Sequence, residues 1–263
     1  MERDPTVDWA YASFFGTGWY KLDSERSAFV IRATPRWSLR EASIDEEGNR
    51  QIGYRIRLPL TLGLNRFDVE DLPGLVDFDN FGTIGVNAGF DIDIPVSRQF
   101  SLRPNVEAGY GTVLNDSAQS WVYRADVRGR YRFRPDDLAL TLNAAVGAAG
   151  HSPNTGSSQS FNYVSVAAER GHGTPWKTPA GEQINLHWQL VYTDFLGSLD
   201  LDPRPENVIS VDRSWQLSAA IARADQPIRL WLLKFDRLGI GYQFSPSSDY
   251  KGVKFFLRAF YDL

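Results

Sequence analysis

Three histidines, His151, His172 and His187, are the only imidazoles in a chain of 263 residues that has no cysteine and a single methionine. Acid–base or nucleophilic chemistry would therefore have to be assembled around them. His151 followed by Ser152 supplies two members of a lipase- or deacylase-like triad if a loop carboxylate completes it. No nucleophile-elbow motif surrounds the pair, and such adjacency is common by chance. His187 alternates with Asn185, Gln189 and Thr193, the setting of a hydrogen-bonded structural histidine. Three dispersed histidines do not make a zinc site, and the lack of cysteine rules out disulfides and thiol chemistry. No metal, cofactor or catalytic residue is expected. Asp77 with Asp79, and Asp200 with Asp202, are close enough in sequence to hold a divalent cation or contact lipopolysaccharide, although acidic loops are usually just solvated.

The arginines form a more regular pattern. The chain carries 23 Arg against 5 Lys, an imbalance suited to guanidinium forks that pair with carboxylates in a confined space. Arg55 and Arg57 alternate with Ile56 and Leu58; Arg124, Asp126, Arg128, Arg130 and Arg132 alternate with Tyr123, Ala125, Val127, Tyr131 and Phe133; Arg103 and Glu107 alternate with Leu102, Val106 and Ala108. Extending this phase places Arg32, Arg36, Arg40, Arg55, Arg57, Arg103, Arg124, Arg128, Arg130, Arg132, Lys234, Lys254 and Arg258 on one face with Asp91, Asp93, Glu107, Asp126, Glu169 and Asp236. Asp91 and Asp93 could pair with Arg103, and Glu107 with Arg124 and Arg128. Cations outnumber anions on this face. Two readings stand: a salt-bridged, plugged interior, or a pore whose arginines favour anions.

What positions these side chains is period-two alternation, which only an extended chain presents as two distinct faces. It runs through segments near 14–22, 28–40, 51–66, 83–95, 100–114, 120–133, 138–149, 161–170, 183–196, 213–223, 230–244 and 252–263, which predicts twelve antiparallel strands in an up-and-down order, with the whole chain 1–263 one domain. Tight connections at 95–99, 134–137 and 225–227 lie at one end; longer ones at 68–82, 150–160 and 197–212 lie at the other. The stretches 41–50 and 171–182 are long where short turns belong, so either the strands extend into them or the count is off by a hairpin. The phase of the eleventh segment slips near Asp236-Arg237, as at a β-bulge.

Alternation alone does not tell a soluble barrel from a membrane one. No apolar run approaches the roughly 20 residues of a membrane helix, whereas a spanning strand leaves mean hydropathy, here -0.32, near that of a soluble protein. Segments of membrane-spanning length, a polar face of Arg, Asn, Ser and Gly, and Trp19, Tyr20, Trp37, Tyr54, Trp121, Tyr123, Trp215 and Trp231 toward segment ends as in interfacial girdles all point to a closed transmembrane barrel. Val253, Phe255, Leu257, Ala259, Tyr261 and Leu263 form a last apolar face. It is like the C-terminal strand that barrel-assembly machinery recognises, with Leu263 in place of the usual Phe. A net charge of -4 without basic runs speaks against nucleic-acid binding. Met1-Glu2-Arg3-Asp4-Pro5 has no apolar signal region, so an exported protein would be read here as a mature chain with an added methionine.

Three stretches, Phe15-Gly16-Thr17-Gly18-Trp19-Tyr20-Lys21-Leu22, Arg57-Leu58-Pro59-Leu60-Thr61-Leu62-Gly63, and Leu230-Trp231 with Arg237-Leu238-Gly239-Ile240-Gly241-Tyr242, resemble the solitary outer-membrane autotransporter-like β-barrel proteins. These look like a twelve-stranded translocator domain without a passenger. The resemblance covers nearly the whole chain; it implies fold, a bacterial outer-membrane location, and contact with outer-membrane lipids, lipopolysaccharide and the assembly machinery, but no catalytic residue. The segment before the first strand is too short to be read as a passenger. The expected role is structural, or that of a small anion-favouring conduit; the oligomeric state is open, with a monomer favoured. The alternatives are a lipid hydrolase using His151 or His187, and a surface-binding or adhesion protein acting through the longer loops.

Overall fold

Neighbouring residues of an extended chain point to opposite sides, and that constraint organises the whole molecule. The computed structural model describes residues 15–21, 27–65, 81–113, 117–134, 138–154, 158–179, 181–202, 209–223, 228–230 and 233–258; it is all-β, with no helix among them. Twelve antiparallel strands form a closed barrel in meander order. They are β1 (Gly18–Lys21), β2 (Ser27–Ala33 and Arg36–Arg40), β3 (Gly53–Arg57 and Leu60–Asn65), β4 (Phe81–Pro95), β5 (Phe100–Val113), β6 (Gln119–Arg132), β7 (Thr141–Pro153), β8 (Gln159–Lys177), β9 (Gln183–Asp202), β10 (Ile209–Arg223), β11 (Leu238–Phe244) and β12 (Lys251–Phe256). Each pairs with the next, and β12 pairs back onto β1, with Val253 opposite Trp19 and Lys254 opposite Gly18. Pro35 and Pro59, which lack an amide donor, split β2 and β3 at the same place: Leu58 N donates to the Pro35 carbonyl and Asn87 N to that of Pro59.

The two awkward connections are extensions of strands. Ser43–Ile44 pairs with Arg50–Gln51 to lengthen the β2–β3 hairpin, and β8 runs to Lys177. Both hairpins close alike, with Gly48 N donating to Asp45 O and Gly181 N to Thr178 O. Gly48 and Gly181 have φ of 89° and 85°, the left-handed backbone that a side chain disfavours. These turns, with that at 96–99, define the turn end of the barrel. At the opposite, loop end two expected loops shrink. Strand β7 reaches Pro153 and β8 begins at Gln159, while β9 continues to Asp202 through register shifts against β10, which starts at Ile209. Asp200 and Asp202 thus belong to a strand rather than a loop; the expected loop at 68–82, with Asp77 and Asp79, falls almost wholly outside the described residues, as does Trp231. At the slip near Asp236-Arg237, both amides donate to the Leu257 carbonyl, the two-against-one pairing of a bulge. Before it, Ile228–Leu230 and Leu233–Phe235 form a separate two-stranded ribbon.

The distribution of side chains is inverted relative to a water-soluble protein. Val106, Val127, Val146, Val166, Leu217 and Ile240 point outward and are exposed, while Asp91, Asn105, Glu107, Asp126, Gln189 and Gln216 point inward and are buried. Outward aromatics pair along the wall: Tyr110 with Trp121 toward the loop end, Tyr131 with Phe133 toward the turn end, and Tyr192 with Trp215 mid-strand. Tyr20 departs from the expected girdle. It is fully buried inside the barrel, because it shares a phase with Gly18 rather than Trp19.

Inward positions beside large polar groups are held by small residues. Gly147 of β7 faces Asp126 of β6, and a Cβ there would run into the backbone of Ala125 and Asp126. Gly147→Val should therefore lower stability by about 1–3 kcal/mol, read as a lower temperature for loss of the compact, heat-modifiable gel band of the folded barrel; an unchanged transition would show that this close approach does not constrain the fold.

Candidate functional site: the charged lumen

The inward faces of β3 to β6 carry the charges, and antiparallel register brings them level. Arg55 lies opposite Asp91, Asp91 opposite Asn105, Asn105 opposite Asp126, and Glu107 opposite Arg124. Arg57 Nε is 2.9 Å from Asp91, and its Nη1 is 3.4 Å from Glu107. Glu107 also pairs with Arg32, reaching across from β2, and accepts from Asn87 Nδ2 at 2.7 Å. Asp126 is gripped by Arg124 Nε at 2.7 Å and Arg128 Nε at 2.9 Å on its own strand, accepts from Asn105, and accepts at 2.9 Å from the Tyr163 hydroxyl on β8. Contacts from β2 and β8 thus span the interior. Glu107 and Asp126 each have several cationic or hydrogen-bonding partners and Asp91 has Arg57, as the burial of charge demands.

Toward the turn end, Asp93 joins Arg55 at 3.1 Å and Arg103, and Arg36 reaches Asp236 at 2.8 Å. A second cluster sets Glu169 between Arg237 and His187, whose Nδ1 lies 3.4 Å away. Arg130, Arg132 and Arg258 are inward and half-buried, and half-buried Lys254 has no hydrogen-bond or ion-pair partner among the described residues. Of the thirteen cations expected in the lumen, the side chain of Lys234 lies outside the described residues, and the other twelve except Arg40 face inward or the turn-end mouth by their strand phase. Arg40 is exposed and lies 4.8 Å over the Tyr54 ring on the outer surface, because the register against β3 slips between Ser38 and Arg40 and reverses its face. The pairing of Arg103 with Asp93 is as expected, but Glu107 bonds Arg32 and Arg57 rather than Arg124 and Arg128, which turn to Asp126 two residues away.

Sequence reasoning passed over the apolar half of the interior. Phe15, Tyr20, Val30, Phe161, Phe195, Leu199 and Tyr250 form one buried cluster toward the loop end. Tyr20 packs edge-on to Phe15 at 4.8 Å and stacks with Tyr250 at 6.4 Å; Phe161 meets Phe195 at 5.8 Å. A signal was present: Phe161 and Tyr163 share the phase of Ser165 and Glu169, the polar face, and not that of Val164 and Val166. Tyr163 joins the two halves, touching Phe161 and bonding Asp126.

The histidine–serine pair is split between the two sides of the wall. His151 is buried inside, its Nδ1 without a hydrogen-bond partner among the described residues, whereas the adjacent Ser152 points the other way and meets Ser158 at 3.0 Å. His172 is exposed on β8, and no group of three or more His, Asp or Glu that could hold a metal ion occurs among the described residues.

The turn end opens into a cavity of about 590 Å³ whose floor is the ion-pair network at Arg55, Asp93 and Arg103. One wall is the β2–β3 hairpin, at Glu41 to Ile44. Its tip is fixed by Asp45, which accepts from Asn49 N at 2.7 Å and Asn49 Nδ2 at 2.8 Å; these donors hold the exposed Asp45 carboxyl below the usual carboxylate range. Arg98 of the next turn donates to the Glu46 carbonyl and braces the same hairpin.

Removing one partner from a buried ion pair leaves the other uncompensated, at a cost of about 3–5 kcal/mol. Glu107→Gln, which leaves Arg32 and Arg57 facing a neutral amide, should shift urea unfolding of the barrel in detergent to markedly lower concentration; an unshifted midpoint would mean the network contributes nothing to stability. No protein-family model matches the chain, and no curated protein matches it.

Proposed function

We propose that the chain is an integral β-barrel of the bacterial outer membrane, translocator-like in architecture, whose lumen is shut and whose role is structural rather than conductive. The carrying observation is the inverted partition of side chains. A closed sheet with an exposed Val, Leu and Ile exterior and a buried ionic interior suits a hydrocarbon solvent, where every backbone donor must be paired within the sheet. The outward aromatic pairs toward both strand ends suit the two interfaces. In this orientation the turn end faces the periplasm and the loop end the exterior, with lipid and lipopolysaccharide around the barrel.

The anion-conduit reading meets two obstacles. Arg57, Asp91, Arg103, Glu107, Asp126 and Arg128 are each no more than 5% exposed, so water does not reach the middle of the lumen, and the Tyr20, Phe195 and Tyr250 cluster fills the loop-end half. A hydrolase built on His151 and Ser152 is disfavoured by their opposite orientations, and adhesion through loops 150–160 and 197–212 by the strands that consume much of them.

Refolded into vesicles, the protein should have its tryptophan fluorescence strongly quenched by bromine-labelled acyl chains, since Trp121, Trp188 and Trp215 all face outward. In planar bilayers the same preparation should give no discrete current steps. Unquenched fluorescence would remove the membrane assignment, and regular anion-selective steps would replace the shut barrel with a conduit.

A further inference from the structure

Among the described residues, the lining of the turn-end cavity holds more cations than carboxylates. Arg36, Arg55, Arg98, Arg103, Arg130 and Arg132 line it, against Glu41, Asp93 and Asp236. Asp236 is engaged by Arg36, and Asp93 is shared by Arg55 and Arg103. Arg132, half-buried at the end of β6, has no side-chain partner among the described residues. Guanidinium groups take phosphate and carboxylate in bidentate fashion, and cations on low-dielectric walls reinforce one another's field. The cavity, of about 590 Å³, is within the size range of small-molecule sites. Phe100, Ile94 and Pro95 supply apolar lining between the arginines.

From this we infer a binding site for a compact polyanion, a molecule bearing at least two phosphate or carboxylate groups, at the turn-end mouth. The ion-pair floor makes it a blind pocket rather than the entrance of a channel. Asp93 and Asp236 orient Arg55, Arg103 and Arg36 from below, so these guanidinium planes are held in place before a ligand arrives, which reduces the ordering cost of binding. The cavity opens along the barrel axis, inward of the apolar outer surface, a position accessible to a soluble anion. A lipid headgroup bearing two phosphates has the same chemistry and is the other source of such a ligand. The site rests on the shut-lumen reading only for being blind; its charges would bind an anion in either case.

The test is calorimetric titration of the full chain, folded in a non-ionic detergent, with inorganic pyrophosphate, and separately with dihexanoylglycerol pyrophosphate, a short-chain lipid whose headgroup carries the same two phosphates. Saturable pyrophosphate binding that weakens with salt and falls about tenfold or more in Arg132→Glu, as expected for one charge-assisted contact, supports a soluble ligand. Saturable binding of the short-chain lipid alone, lost in the same variant, supports a headgroup ligand for this site. Lys177→Glu, an equal charge change on an exposed residue of β8 outside the cavity, should leave either affinity within about twofold. Should Arg132→Glu fail to give the heat-modifiable band, Arg98→Glu on the exposed 96–99 turn provides the same comparison. No saturable binding of either probe to the folded barrel, or equal weakening by Lys177→Glu, overturns the site. Bilayer conductance is measured independently, so loss of the shut-lumen reading and loss of the anion site are distinguishable.

Discussion

The short strand β1 bonds on both sides, to β2 through Gly18 to Lys21 and to β12 through the same four residues. That double ladder turns a curved sheet into a ring, and the rest of the structure depends on it. Once the ring is closed, every strand has the same inside and outside, and an alternating sequence has no freedom left in deciding which residues are buried together. Small irregularities show how strict the condition is. At Ser38/Arg40 a register slip sends one arginine to the outer surface, and at Asp236-Arg237 a bulge restores the phase so that Gly239, Gly241 and Gln243 face in.

Closure also concentrates charge. Guanidinium groups that would be solvated on an open sheet are here within a few ångströms of groups from strands far apart in sequence: Arg32 meets Glu107, and Arg124 meets Tyr163. Several carboxylates are shared, Asp93 by two arginines and Asp126 by two arginines, an asparagine and a tyrosine. Sharing makes the network a single object, because removing one acid affects several cations. Among the described residues, surplus positive charge collects at the turn-end mouth, where water can solvate it, and an apolar cluster fills the interior toward the loop end. The division is consistent with the cost of burying ions without partners.

Strand number, antiparallel order and the inward phase of Arg55, Arg57, Arg103, Arg124, Asp126 and Arg128 were legible in the sequence because each rests on period-two alternation, a local property. The bulge near Asp236 was legible for the same reason. What escaped was set by distance across the ring. Glu107 was matched with its β6 neighbours, since register brings Arg124 opposite, yet Arg32 and Arg57 take it; side chains as long as arginine choose partners by reach across a curved wall, which adjacency does not encode. Tyr20 was assigned to a girdle from its place beside Trp19, although its own phase puts it inside. The loops at 150–160 and 197–212 were overestimated because turn-rich composition does not stop a strand whose neighbours continue to offer backbone partners.

Open and shut barrels share the same alternation, so their difference lies in what inward side chains do once they meet. Short polar residues would leave a water column. Here many inward positions of β3 to β6 are long, charged and oppositely signed, and those at the loop-end parts of β1, β8 and β9 are bulky and aromatic. Tyr163 ties these halves, its ring packed near Phe161 and its hydroxyl on Asp126. An aromatic that closes one layer while satisfying a carboxylate in the other links the apolar and ionic fillings mechanically. Movement of either layer would then disturb the other, and the interior behaves as one packed unit rather than as a gate resting on a filter.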